Sequence, residues 1–117
     1  MLNGTAMVER IVARHPEDTV LLVCSGSADN FNLEDFYGAG YLVSLLRAAP
    51  GEREFSDAAL AAGFLHDTNT PQACLWNARV GRMMLARGLE KELHFAAQKS
   101  RFDVVPRLLG GALRASE

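Results

Sequence analysis

The chain has no surplus of positive charge: twelve Lys and Arg stand against fourteen Asp and Glu, a formal net charge of −2 over 117 residues. Its basic residues are scattered, so no groove for a polyanion is expected and nucleic acid is not among the predicted partners. Cysteine is scarce. Cys24 and Cys74 are the only two, and they belong to no Cys-x-x-Cys or Cys/His cluster. One disulfide is the alternative to two thiols. However, Cys24 ends an apolar run and Cys74 falls in a predicted helix, where free Cys behaves as a small hydrophobe, so two reduced thiols in a cytosolic chain are expected. No stretch approaches the ~20 apolar residues of a membrane span. Glu9 and Arg10 occupy the place where a secretory signal needs its apolar centre. These absences predict a soluble, cytoplasmic protein with no membrane partner.

What remains suits a single folded unit, with 49% hydrophobic and 22% charged residues. Asn3 or Thr5 can cap a first helix that runs to about Arg14, where His15-Pro16 stops it. Thr19-Val20-Leu21-Leu22-Val23-Cys24 is a continuous apolar run rich in β-branched residues. It reads as a strand buried on both faces, as in parallel sheets. Ser25 to Asn30 is turn chemistry. A long helix from Leu33 to about Ala48 follows, with Asn32 as N-cap and Glu34 and Asp35 in the first turn. Its body is apolar nearly all round, and Gly38 and Gly40, which each cost about 1 kcal/mol of helix propensity, predict close approach to a neighbour.

Ser56 caps a helix from Asp57 to about Leu65, and His66 to Pro71 reads as a polar loop. Another helix is predicted from about Gln72 to Arg87, with Gly88 as its C-terminal cap. Glu92 to Ala96 alternates weakly and reads as a short strand. Phe102 to Pro106 reads as a turn into an edge segment, because Pro106 cannot donate to a ladder. The order helix, strand, helix, helix, helix, strand predicts an α/β protein, a three-layer α/β/α arrangement about a mixed, mostly parallel sheet. Two strands are too few for such a sheet, which predicts a missing partner, either another chain or another copy.

The informative stretch is strand, Ser/Gly/Asp/Asn loop, then an acid-led helix. Ligands of open α/β sheets sit beyond the carboxyl ends of strands, and a helix N-terminus offers free N–H groups to an anion. Ser25, Gly26 and Ser27 suit a phosphate or sulfonate, while Glu34 and Asp35 suit a hard cation such as Mg²⁺. The same residues admit a structural reading, in which the carboxylates complement the helix dipole and the loop turns the chain. There is no Gly-x-x-x-x-Gly-Lys, no Gly-x-Gly-x-x-Gly and no Asp-x-Asp nucleophile.

Several spaced motifs, in order, resemble a known family. Val-Leu-Leu-Val-Cys-Ser-Gly-Ser (Val20 to Ser27) and Leu-Glu-Asp-Phe-Tyr-Gly-Ala-Gly (Leu33 to Gly40) are similar to the strand-loop-helix signature of 2-phosphosulfolactate phosphatases. Phe55-Ser56-Asp57-Ala58-Ala59, Gly81-Arg82 with Leu85 and Gly88, and Val105-Pro106 resemble later segments of that family. Leu2-Asn3-Gly4-Thr5-Ala6 is similar to a helix start near its midpoint. The resemblance implies that residues 1–117 are a single α/β domain, the C-terminal half of a larger two-part fold. It implies a Mg²⁺-dependent phosphatase that converts 2-phosphosulfolactate to sulfolactate and phosphate in coenzyme M biosynthesis. By position it makes Glu34 and Asp35 the metal and acid/base candidates, Ser25 and Gly26 the phosphate-side loop, and Arg82 an anion contact. The family's N-terminal half carries further acidic residues; it, or a homo-oligomer, is the expected partner. The alternative is a non-catalytic domain that serves subunit assembly.

Overall fold

The structure, a computed structural model, describes residues 1–116. Six helices and two strands follow in the order α1 (Gly4–Arg14), α2 (Leu33–Ala48), α3 (Asp57–Thr68), α4 (Pro71–Asn77), α5 (Arg79–Ala86), α6 (Glu90–Ala96), β1 (Val105–Leu109) and β2 (Ala112–Ser116). The predicted caps of α3 and α5 are where the sequence puts them. The Ser56 hydroxyl accepts from Ala59 N at 3.3 Å, and Gly88, at φ +73, lets its own N–H and that of Leu89 reach back to Leu85 and Met84. Asn3 and Asn32 also precede their helices, but neither side chain caps. The Asn3 amide donates instead to the Val104 carbonyl at 2.8 Å, tying the approach to β1 onto α1.

Helix α2 organises the rest. Its buried residues, Tyr37, Gly40, Tyr41, Val43 and Leu46, are spread round the helix, because α1, α3 and α4 all pack against it. Fully burying Val43 or Leu46 contributes on the order of 2 kcal/mol each. Gly40 is the contact point with α3: a Cβ there would lie 2.0 Å from the Ala62 carbonyl oxygen. The close approach expected of Gly40 is therefore real. At Gly38 it is absent, since its nearest neighbour would be Met1 Cγ at 3.9 Å. Tyr37, Cys74 and Leu75 form a small core cluster joining α2 to α4.

Three sequence expectations are corrected. The single helix from Gln72 to Arg87 is two, broken at Ala78, whose ψ of 153 is extended. The break folds α5 back so tightly that a Cβ on Gly81 would meet the Leu75 carbonyl oxygen at 1.7 Å, and a straight helix could not make that contact. Glu92 to Ala96 is helical, part of α6. Glu90 and Glu92 in its first turn complement the dipole, and Leu93 alone of the helix is buried. His66 lies in the last turn of α3 instead of in a loop. Its Nδ1 is 3.0 Å from Asp67 Oδ1 and its Nε2 is 2.7 Å from Lys99 Nζ. Lys99 also sits over the Tyr37 and Tyr41 rings, at 5.4 and 5.0 Å from their centroids. Together with the 2.6 Å Tyr41–Ser100 hydroxyl contact, these hold residues 97–102 against α2 and α3.

The predicted strand at Thr19 to Cys24 forms neither helix nor strand and pairs with nothing among the described residues. Among the described residues, no backbone hydrogen bond to another backbone group involves residues 19–25. Val20 and Leu22 are half-buried, while Leu21 and Val23 are 82% and 78% exposed, so the ribbon is covered on one face and not on both. The mostly parallel sheet is accordingly absent among the described residues. The described sheet is a small antiparallel hairpin in which β1 and β2 pair around Gly110-Gly111, a two-residue connection with both φ positive. Pro106 falls on this edge structure, as its missing N–H requires. The chain is thus α/β, with six helices and one two-stranded sheet described. Among the described residues, no helix is long and apolar enough to cross a membrane.

The α2–α3 contact makes a paired prediction. Gly40→Ala should lower stability by about 2 kcal/mol, because the clash with a backbone carbonyl outweighs the ~1 kcal/mol gain in helix propensity. Gly38→Ala, with room for its methyl, should be neutral or stabilising. Urea midpoints of the two variants check this, and equal midpoints would contradict the close approach.

Candidate functional site

The loop between the ribbon and α2 is built on a tight reversal. Ser27 and Asn30 exchange backbone hydrogen bonds at 3.2 and 3.1 Å, with Ala28 and Asp29 between them at φ 49 and 56. Positive φ at both central residues defines a mirror-image turn, and an alanine in the left-handed region costs about 1 kcal/mol. Gly26 precedes it at φ +65, and a Cβ there would lie 2.4 Å from the Asn30 carbonyl oxygen. Only glycine fits. The loop survives this strain because side chains hold it from two directions. Gly26 N–H donates to Asp35 Oδ2 at 2.8 Å. The Arg79 guanidinium donates to the Ser27 hydroxyl at 2.6 Å and to Asn32 Oδ1 at 3.0 Å, and Ser27 also donates to Asn32 at 3.1 Å. Asn32, 8% exposed, is the single buried polar residue among the described ones, and its side chain fastens the loop instead of capping α2.

Five of the six residues singled out from sequence are thereby brought together, Ser27 within the loop itself. Ser25, Glu34 and Asp35 line one groove of about 470 Å³ between the ribbon, α2, α5 and α6, and Gly26 is bonded to Asp35. Two carboxylates at the helix mouth do not act alike. Asp35 is engaged by the loop, and the Gly26 N–H it occupies is not free for an anion. Glu34 Oε2 is buried and has no hydrogen-bond partner. An unpaired carboxylate oxygen out of water is costly unless a donor or cation reaches it. Arg82 is not part of the groove. It is exposed on α5, and its guanidinium donates to the Asn77 carbonyl. The arginine that does reach the loop is Arg79, three residues earlier. Its position one turn before Gly81-Arg82 was readable, but its reach across 52 residues of sequence to Ser27 depends on the break at Ala78.

Cys24 lies beside this pair at the ribbon's end and also lines the groove. Its thiol is pushed above the usual range, first by partial desolvation and second by the negative charge of Asp35. Cys24 and Cys74 are both free. Oxygen donors suited to a hard cation are present in Glu34, but no group of three His, Cys, Asp or Glu among the described residues could hold a metal. One Glu fits part of a Mg²⁺ shell, whose remainder would be water, substrate or residues from elsewhere.

A Gly-bearing loop thus leads from an apolar ribbon into the acid-led helix of an α/β unit. Comparison narrows the class. The family model for 2-phosphosulpholactate phosphatase matches residues 1–111, and the chain belongs to that family. A protein of Carboxydothermus hydrogenoformans named probable 2-phosphosulfolactate phosphatase is 37% identical over 106 residues, 91% of this chain and 43% of the relative. Similarly named proteins of Thermotoga petrophila and Clostridium tetani are 30% and 24% identical, over 99% and 97% of this chain and 49% and 48% of theirs. The chain therefore spans about half the length of the curated relatives it matches.

The Cys24–Asp35 proximity is open to direct measurement. Removing the carboxylate charge with Asp35→Asn should lower the thiol's pKa, so alkylation of Cys24 by iodoacetamide at a fixed pH near 8 should be faster than in the unmodified chain. Cys74 is buried and should contribute little, which Cys24→Ala verifies. An unchanged pH profile would contradict the arrangement.

Proposed function

We propose that the chain supplies one half, the C-terminal one, of a Mg²⁺-dependent phosphatase acting on a small phosphorylated acid. The substrate proposed is 2-phosphosulfolactate, cleaved to sulfolactate and phosphate, a step of coenzyme M biosynthesis. In the complete enzyme the ribbon would belong to a mostly parallel sheet between two helical layers. The observation that carries the reading is Glu34 Oε2, buried without a partner in the groove at the mouth of α2. A bound Mg²⁺ would polarise the phosphoryl oxygens and lower the pKa of an attacking water.

In this reading Glu34 is the metal donor contributed by the chain. Asp35 holds the Gly26 loop at the helix terminus, which keeps the Ser25 hydroxyl at the groove rim for a phosphoryl oxygen. Arg79 keeps the same loop closed through Ser27 and Asn32. A role for Arg82 on the anion would require it to leave the Asn77 carbonyl. The family membership and the relatives' names support the phosphatase class; the metal, the substrate and the cytoplasmic setting are part of the proposal. A second reading, a non-catalytic assembly domain, is favoured by the exposed apolar ribbon residues Leu21 and Val23, which want covering whether or not catalysis occurs.

The test is phosphate release from 2-phosphosulfolactate in Mg²⁺ by this chain co-expressed with the unmatched half of the Carboxydothermus relative. Activity should appear, disappear on chelation, and fall about 100-fold or more in Glu34→Gln, a loss typical of a group acting at the reacting centre. A stable complex of the two halves without phosphate release would leave only the assembly reading.

A further inference from the structure

We propose that residues 19–25 form an interior strand whose two neighbours are strands of the half that the relatives possess and this chain does not span, one in each of two grooves flanking the ribbon. The inference rests on family membership and not on the phosphatase reading. Backbone N–H and C=O groups in a folded protein are nearly always paired, yet residues 19–25 make no backbone–backbone bond among the described residues, and the alternating exposure of Val20 to Val23 is that of a strand. Both sides of the ribbon have a prepared floor. On one, the groove of about 470 Å³ is lined by Ala39, Leu42, Val80, Met84 and Leu93. On the other, a groove of about 650 Å³ is lined by Phe36, Ala39, Val43, Leu46 and Phe55. Ala39 of α2 borders both, so the ribbon runs along the middle of α2 with an apolar trough to either side.

A strand at the edge of a sheet needs one trough and avoids a second exposed one. Two troughs and a continuous apolar run are the marks of an interior strand with further cover over Leu21 and Val23. A second copy of this chain fits less well: pairing ribbon to ribbon about a two-fold axis fills one edge of each and leaves the other trough open. The relatives carry roughly as much chain again, since this chain covers 43% to 49% of their lengths, and that material is sufficient for two strands and a covering layer.

Amide hydrogen exchange distinguishes these arrangements, because successive N–H groups of a strand point to opposite edges. The chain should be co-expressed with the unmatched half of the Carboxydothermus relative, and exchange read in the complex and in the chain alone. The expected result is a 1:1 complex in which the amides of Val20 to Cys24 are all slowed about 100-fold or more relative to the chain alone. Val23→Pro, which removes one ladder donor at a position 78% exposed in the chain, should abolish association while leaving the helical circular dichroism of the isolated chain unchanged. The proposal is overturned by absence of a complex, by protection of alternate amides only, or by equal protection in the chain alone, which would assign the surface to a second copy. Association of Val23→Pro with unchanged affinity would also overturn it. Full protection with no phosphate release would sink the proposed activity and leave this inference standing.

Discussion

Helix α2 has no polar face of the ordinary kind, and the rest of the structure is arranged to accommodate that. Tyr37 and Tyr41 turn one way, toward α4 and the 97–102 segment. Gly40 and Val43 meet α3, and Ala39 underlies the ribbon. A helix apolar all round is stable only when surrounded. Here α1, α3 and α4 surround it on three sides, while the ribbon gives partial cover on the fourth. That fourth side is where the ribbon residues Leu21 and Val23 remain open to solvent.

The same helix sets up the site by its start and not by its body. Strain in the Ser27–Asn30 reversal is tolerated because Asp35, Asn32 and Arg79 each bond to the loop from fixed positions on α2 and α5. This division of labour separates the two adjacent carboxylates. Asp35 spends its charge on structure, and Glu34 is left with a buried oxygen that no side chain or backbone donor of the described residues reaches. A second polar network, Lys99–His66–Asp67 with Arg47, secures the C-terminal segment far from this loop. Burial pushes the Lys99 ammonium below its usual range, and hydrogen bonding from His66 and Arg47 lowers the Asp67 carboxyl. Neither group lines the groove.

Much of this was legible in residues. The first three helices, the Ser56 and Gly88 caps, the paired carboxylates at the mouth of α2, and the shortage of strands all follow from local chemistry. Glu92 to Ala96 misled because weak alternation over five residues is a poorer guide than two glutamates placed to start a helix. The run from Gln72 to Arg87 misled because every residue in it is helix-compatible. The break at Ala78 goes with Gly81 seated on the Leu75 carbonyl, a packing contact that propensity along the chain does not reveal. The motif resemblance points to Arg82, whereas Arg79 is the arginine bonded to Ser27: which of two exposed arginines reaches a loop 52 residues away depends on how α5 is turned.

By itself, the sequence determined the elements whose causes are local: a β-branched apolar ribbon, a glycine at a turn that no side chain could enter, an acid-led helix, and a family membership carried by motifs along its length. Tertiary structure alone decided which carboxylate is satisfied and which is left bare, which arginine fastens the loop, and that the ribbon lies between two apolar troughs with its hydrogen bonds unmade. The physical reason is distance along the chain. Propensity and capping act within a turn or two, whereas desolvation and pairing depend on groups that only packing brings together.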